Sequence, residues 1–520
     1  MQHSSPPTSA PPLRSQLYVP RVLAPTLRPL DGIGLFFLVL FFLTNVPNIV
    51  PAGVSVFPYW GIGLLGFFVP ALVATAQLAI LFPYAGGIYA WTAHALGRPW
   101  SFIAGFCAWS PSIPLIVSTP ALWISVLQGI NPHWLTESWQ QLLCILGLIL
   151  LSAVLSLQRV RLILRLMNAA ALCMLIGVLL FCAASLFWLF AGHGPAVSFS
   201  HPADWVPNIN LATGSLASFG VIGLTFMGID SPARLLGEIH PDYQQEAARR
   251  RLIIRHVLIG GLLVFLCYLL TSFAMLVLGG NAAFYQLAAP ILLTDQILGK
   301  FCGSIVAVGW LAFLLFATVA YQITNARLLF VAGIDERIPL WFGQVHPQRR
   351  VPQHALLFQT VLSLLAAGII YGVLAYVFPH FFALKPADAA NASLQVVLAS
   401  LSVMWIVATM FLFFNLLALC IRRALPSAGP QRLLPAGLLM VLSFSGIVFG
   451  LLFIADTILY SWTPTIPAGI WAYLIIGFVL IIIILMLILS FYGRSQADYE
   501  GLSRTFEATE QLTGGEKTSS

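Results

Sequence analysis

The sequence predicts an all-α polytopic membrane protein of about twelve transmembrane helices, and three observations carry that prediction. The chain has 520 residues, 59% of them hydrophobic and only 8% charged, whereas a water-soluble domain carries about 25% charged residues on its surface. Apolar runs of spanning length, ~20 residues each, recur from residue 32 to residue 492 with no soluble domain between them. The basic residues fall almost entirely on one side of those runs. Together these features exclude a soluble protein, a disordered chain, a coiled coil, a collagen and a disulfide-stapled secreted module.

Residues 1 to 31 are rich in Pro and Ser and lack the apolar stretch of a cleavable signal, so they are expected to form a disordered cytoplasmic tail. Apolar runs then predict spans at 32 to 55, 60 to 82, 99 to 127, 139 to 157, 163 to 191, 211 to 238, 253 to 278, 301 to 331, 353 to 378, 391 to 421, 433 to 455 and 466 to 492. The run from Phe284 to Leu298 reads as a short surface helix. Residues 493 to 520 are polar and mixed in charge and read as a second cytoplasmic tail.

Of the 24 Lys and Arg residues, only Lys300 and Lys385 fall on the face away from the tails. By the positive-inside rule both tails are cytoplasmic, and a cell membrane is the expected location. Arg249, Arg250, Arg251 and Arg255 read as a topogenic cluster holding anionic headgroups rather than a nucleic-acid patch. The seven cysteines lie in apolar runs, are odd in number and show no C-x-x-C spacing. They read as small buried hydrophobes.

Two of the spans are interrupted. The first contains Thr44-Asn45-Val46-Pro47-Asn48-Ile49-Val50-Pro51, where prolines remove backbone donors and the asparagines need a cavity or each other. Five spans later, Phe226-Met227-Gly228-Ile229-Asp230-Ser231-Pro232 breaks the sixth. Breaks at matching places in two five-helix halves point to an inverted-repeat transporter with substrate at the unwound segments, where exposed N–H groups bind a carboxylate and carbonyls an ammonium. A pair of proline kinks satisfied by neighbouring helices is the plainer alternative. Asp230 is the one carboxylate placed deep in a span. Insertion of an acid there costs about 2.5 to 3.5 kcal/mol, so it requires a partner or a cavity. Burial favours the neutral carboxyl, which suits a group that couples transport to protons or senses an ammonium; a hydrogen-bonded structural carboxyl is the alternative.

The second and third spans carry Gln77-Leu-Ala-Ile-Leu-Phe-Pro-Tyr-Ala-Gly-Gly-Ile-Tyr-Ala-Trp91 and Ala95-Leu-Gly-Arg-Pro-Trp100. Later come Asn325-Ala-Arg-Leu-Leu-Phe-Val-Ala-Gly-Ile-Asp-Glu-Arg-Ile-Pro-Leu-Trp341 and Val351-Pro352. With Phe226 to Asp230, Glu238 and Pro241, these segments resemble the amino acid-polyamine-organocation superfamily over about residues 32 to 425. The resemblance implies ten core helices in two inverted five-helix repeats, 32 to 191 and 211 to 421, followed by two further helices within 433 to 492. It also implies secondary transport of amino acids or related amines by alternating access, with polyamines as the alternative substrates.

Where the family has a Gly-x-Gly segment for the substrate carboxylate, this chain has Thr44, Asn45 and Val46, leaving Asn45 to offer a side-chain amide. Gln77 replaces the family's second-span acid, and Met174 stands where some members have a lysine in place of sodium; neither a sodium site nor a lysine surrogate is expected. Tyr321 falls where some antiporters have an aromatic pocket residue able to stack on a cationic group, with a packing tyrosine as the alternative. Ser400 and Ser402 fall near tenth-span contacts, where helix–helix hydrogen bonding explains them equally well. Substrate is therefore expected between Thr44 to Pro51 and Phe226 to Asp230, with Tyr321 as a wall, Phe226 as a gate and Arg327 shaping the cytoplasmic mouth. Gly61-Ile-Gly-Leu-Leu-Gly66 matches G-x-G-x-x-G literally, but it opens an apolar span without a preceding strand or a following acid; helix packing explains it. No H-E-x-x-H occurs among the ten histidines. No metal, cofactor, nucleic-acid partner or enzymatic site is expected.

Overall fold

Helices carry nearly all of the structure, because in hydrocarbon each backbone N–H and C=O must be satisfied within the segment. The computed structural model describes residues 13–207, 217–280, 286–382, 385–426, 431–463 and 465–488. Among them, ten helices are long and apolar enough to cross a membrane. The expected second tail, 493 to 520, lies outside the described residues.

Residues 13 to 31 correct the expectation of disorder. Helix α1 (Arg14–Val22) packs along the tail-side ends of the bundle, burying Val19, with Leu23 and Leu27 buried beyond it. Ser15 donates from both its backbone N–H and its hydroxyl to Asp335, each at 2.9 Å, and Arg14 pairs with Glu336. Thr26 and Leu27 donate to the Glu238 carbonyl at 2.8 Å, and His240 donates back to Leu27. Burial pushes the Asp335 carboxyl above the usual carboxylate range, opposed by the donors of Ser15. The segment orders because the bundle supplies an apolar surface for Val19, Leu23 and Leu27, which a composition average over a Pro- and Ser-rich stretch hides.

The first two expected spans form one helical run, Pro29–Leu81, of 53 residues. Extended Phe41 and Phe42 and a kink at Gly53 interrupt it; at 1.5 Å per residue its pieces sum to ~80 Å, against a hydrocarbon core of about 30 Å, enough for both spans. It comprises α2 (Pro29–Leu40), α3 (Val46–Ile49), α4 (Val56–Gly63) and α5 (Val69–Leu81), linked by 3-10 turns and a π-helical stretch at Leu64–Phe68. Gly53 turns the chain with φ of 63°, a region open to glycine at little cost. Short α6 (Ile88–Ala95) leads into α7 (Arg98–Trp109), α8 (Ser112–Ile130), α9 (Ser138–Ser156) and α10 (Val160–Phe190).

The sixth expected span is too fragmented to qualify by length. Residues 211 to 216 lie outside the described residues, α11 (Ala217–Thr225) is nine residues long, and the chain then turns and continues as a 3-10 helix, Ser231–Glu238. After α12 (Glu246–Ile254) and α13 (Gly260–Leu278), the expected short helix is present as α14 (Ala289–Leu298). The rest is α15 (Lys300–Ile334), α16 (Gln353–Ala367), α17 (Ala375–Val377), α18 (Pro379–Phe382), α19 (Pro386–Ile421) and α20 (Ala436–Leu459), with a last apolar helix at Ala468–Ile488. Helix α15 packs against α8, α9, α10 and α14 and is buried from Ala317 to Gly333 without interruption. The glycines of the G-x-G-x-x-G match serve packing: a Cβ on Gly66 would strike the Phe449 ring, and one on Gly63 would lie 3.0 Å from Phe226.

Candidate functional site

The first break falls two residues ahead of the Pro-Asn cluster. Helix α2 ends at Leu40, and Phe41 (φ −88°, ψ 118°) and Phe42 (φ −130°, ψ 104°) are extended. The chain rewinds at Leu43–Asn45 and α3. Pro47 sits in the first turn of α3, where its missing N–H costs little, so the prolines mark where the helix restarts. Thr44, Val46 and Pro47 are buried in this rewound segment, and Asn48 donates to the Thr44 carbonyl at 3.3 Å. The unwound backbone expected at Thr44 to Pro51 is therefore at Phe41 and Phe42.

Two tyrosines satisfy the freed backbone. The Tyr268 hydroxyl, from α13, donates to the Leu40 carbonyl at 2.8 Å and accepts from the Phe42 N–H at 2.9 Å. Tyr321, from α15, donates to the Val39 carbonyl at 2.8 Å. Tyr268→Phe strands a buried N–H and a carbonyl, each worth about 1 to 3 kcal/mol when unmet. A lowered unfolding midpoint is the expected result, whereas an unchanged midpoint would show that water or a local shift replaces the hydroxyl.

The second break faces the first. Gly228 has φ of 86°, and a Cβ there would lie 2.6 Å from the Trp405 ring and 3.0 Å from Val39. Backbone of the sixth span thus approaches α2 and α19 closely enough that only glycine fits. Among the described residues, the N–H groups of Gly228 and Ile229 have no backbone acceptor. The Tyr321 ring stacks on Phe42 at 6.2 Å and meets Trp405 edge-on at 6.2 Å, so it lies between these two rings. Phe226 stacks on Phe68 at 4.5 Å and contacts Trp60 at 5.7 Å, while Met227 accepts from Thr409 at 3.6 Å. Phe226, Met227, Ile229 and Tyr321 are all buried, so the region is closed in this conformation. The hydroxyls of Thr44 and Ser231 and the indole N–H of Trp405 are buried without a partner among the described residues. Trp405 and Tyr268 escaped the sequence reading; the available signal was a mid-span polar aromatic whose polar atom needs a partner.

Asp230 has the partner its burial requires. Its Oδ2 accepts from Arg234 Nε at 2.9 Å, one helical turn on, and a second nitrogen of Arg234 binds Asn325. Asn325 in turn donates to the Tyr321 carbonyl at 2.8 Å. Of the partner or cavity that a buried acid needs, Arg234 supplies the partner. Arg234, one of the tail-side basic residues at the end of the expected sixth span, is fully buried. Below it, Arg327 grips Glu238 through two nitrogens, at 2.9 and 3.2 Å, joining the exit of the sixth span to α15. Gly86 and Gly87, both at positive φ, let the loop after α5 close over this network: Gly86 donates to the Arg234 carbonyl at 3.2 Å, and a Cβ on Gly87 would touch the Arg234 side chain. The family-like motifs of the second, sixth and eighth spans meet here.

Other expected contacts fall elsewhere. Ser400 and Ser402 bond back to their own helix at 2.8 and 2.7 Å. Gln77 holds the loop before α20, donating to the Gln431 carbonyl and accepting from the Leu433 N–H, both at 2.8 Å. Asp230 is not the sole buried acid: α20 extends to Leu459 and so encloses Asp456, which is 6% exposed. No group of His, Cys, Asp and Glu with metal-holding geometry occurs among the described residues.

A family model described as "Amino acid permease" matches residues 32–481. The chain is also 25% identical, over 414 residues, to a protein of Legionella pneumophila subsp. pneumophila named "Uncharacterized transporter lpg1691", a match covering 78% of this chain and 83% of that one.

Proposed function

The chain belongs to the amino acid permease family, and from that premise we propose that this transporter moves amino acids across a cell membrane by alternating access. The observation that carries the proposal is the apposition of two helix breaks, with Gly228 against Val39 and Trp405. Substrate binds between Phe41 to Asn48 and Phe226 to Asp230, beside Tyr321. The N–H groups of Gly228 and Ile229, which have no backbone acceptor among the described residues, receive the carboxylate, as backbone at an unwound helix does. Asn45 and the unpartnered Thr44, Ser231 and Trp405 groups offer further polar contacts. Phe226 moves as the gate, and the buried Asp230–Arg234–Asn325 and Glu238–Arg327 contacts hold the tail side closed in this state.

A polyamine or other organic amine is the second reading; Asp230 would favour it, but that carboxylate already binds Arg234. The basic residues support two cytoplasmic tails and anionic lipid headgroups around Arg249 to Arg251. The two five-helix halves, 32–191 and 211–421, act as inverted repeats around the breaks. Transport is driven by protons or by exchange. Purified protein challenged with a panel of labelled amino acids and amines tests all of this. An amino acid that binds the folded state alone raises the unfolding midpoint and shows saturable flux in liposomes. Saturable flux of amines only would replace the substrate class, and no flux of any member by folded protein would end the assignment.

A further inference from the structure

We propose that Asp456 is a proton-binding site, reached from the face opposite the tails, that sets the position of the first half of the broken sixth span. Helix α20 starts on the tail side after Arg422, Arg423 and Arg432 and ends at Leu459, which places Asp456 near the far end. Its side chain is buried, yet one carboxyl oxygen has no hydrogen-bond partner among the described residues. That oxygen occupies the place a Cβ on Gly220 would take, and the Gly220 N–H donates to the same carboxyl group.

The contact belongs to a continuous seam. Gly223, one turn further along α11, would clash through a Cβ with Phe453, and Phe219 packs on Phe453 at 4.9 Å. Phe449, Phe453 and Asp456 therefore form one face of α20, laid along the Phe219, Gly220 and Gly223 face of α11. Helix α11 runs straight into Phe226 and the break, so a displacement at Gly220 reaches the candidate site within two helical turns.

No cation compensates a charge at this position. The sequence has no Lys, Arg or His between Val206 and Arg234, and among the described residues no ion pair includes Asp456. Ionisable groups on the packed elements are few: Tyr460 just past the end of α20, Asp388 at the start of α19 and Cys420 near its end, Tyr59 on α4 next to Phe219, and Tyr473 on the last apolar helix; α5 and α11 carry none. None of these is a base that stays positive. A neutral carboxyl can stay packed on Gly220, whereas an ionised one in this apolar seam is relieved only by admitting water. The step is a simple exchange: the carboxylate takes a proton from water to become the acid, and returns it on deprotonation. Acid on that face therefore holds α11 against α20, and deprotonation releases it. By linkage, movement of α11 changes the affinity for the proton in return.

Two readouts test this on the full-length protein with protons as the only added ligand. Infrared difference spectra between acidic and neutral pH should show the band of a protonated carboxyl that disappears in Asp456→Asn. Backbone hydrogen exchange over residues 219 to 226, expressed as protection relative to the intrinsic amide rate at each pH, should fall on going from acidic to neutral pH in the wild type, and the protection should stay high and independent of pH in Asp456→Asn. Asp456→Glu, which keeps the titrating group, should retain a pH response with a shifted midpoint, and it serves if the amide variant folds poorly. A loss of protection at residues 219 to 226 between acidic and neutral pH that survives in Asp456→Asn, or a carboxyl band unchanged by that substitution, overturns the proposal. Neither readout involves a substrate, so the result is independent of the amino acid panel.

Discussion

Glu238→Gln is expected to destabilise the protein by about 3 to 5 kcal/mol, the range for breaking one side of a buried ion pair. The cost arises from what is left behind. Arg327 is fully buried, and two of its nitrogens bind Glu238 while a third reaches the Ile323 carbonyl at 3.1 Å. Removing the carboxylate leaves the guanidinium charge uncompensated in a region sealed by α15 and the sixth span. Replacing both partners, as in Glu238→Leu with Arg327→Met, should cost less than Glu238→Gln alone, since no charge then remains. Thermal unfolding in detergent reads both effects. A Glu238→Gln midpoint equal to the wild-type value would mean that the pair contributes nothing.

Gly228→Ala is expected to abolish transport and to lower stability as well. A left-handed backbone costs an L-residue about 1 to 2 kcal/mol, and overpacking adds about 1 to 3 kcal/mol, because the new Cβ would stand 2.6 Å from the Trp405 ring. The two terms can be separated. Trp405→Phe in the same chain relieves the clash but leaves the backbone strain, so the double variant should recover part of the stability. Transport should not recover, because Trp405 and Gly228 both shape the space between the breaks. Wild-type transport by Gly228→Ala, measured per folded molecule, would move the substrate site away from the sixth-span break.

The sequence carried the transmembrane fold, the existence of two breaks and the motifs that meet around them, but it misplaced details that depend on partners. The prolines at 47 and 51 announced an interruption, yet the unwinding sits at Phe41 and Phe42, because Tyr268 and Tyr321 are there to receive the freed groups. Nothing local in Phe41-Phe42 signals a break. Asp230 calls for a partner or a cavity, but only the turn of 3-10 helix after the break shows that Arg234, four residues on, is the partner. Asp456 fell one residue beyond the expected end of its span, an error of boundary rather than of chemistry. The amino-terminal segment looked disordered because its composition says nothing about the surface that Val19, Leu23 and Leu27 cover.

Lipid as solvent, helix as the dominant element and the face that carries the positive charge all follow from one-dimensional properties of the chain, namely hydropathy and charge summed over neighbouring residues. Those properties do not depend on which helix packs against which. Ion-pair partners, the two tyrosines in the first break and the fit of Gly228 against Trp405 depend on groups far apart in the chain: Glu238 and Arg327 are 89 residues apart, and Tyr268 and Leu40 are 228 apart. Only packing of the helices brings such groups within hydrogen-bond reach, so the Arg234–Asn325 contact, the Glu238–Arg327 pair and the burial of Asp456 against Gly220 emerge from the tertiary structure alone.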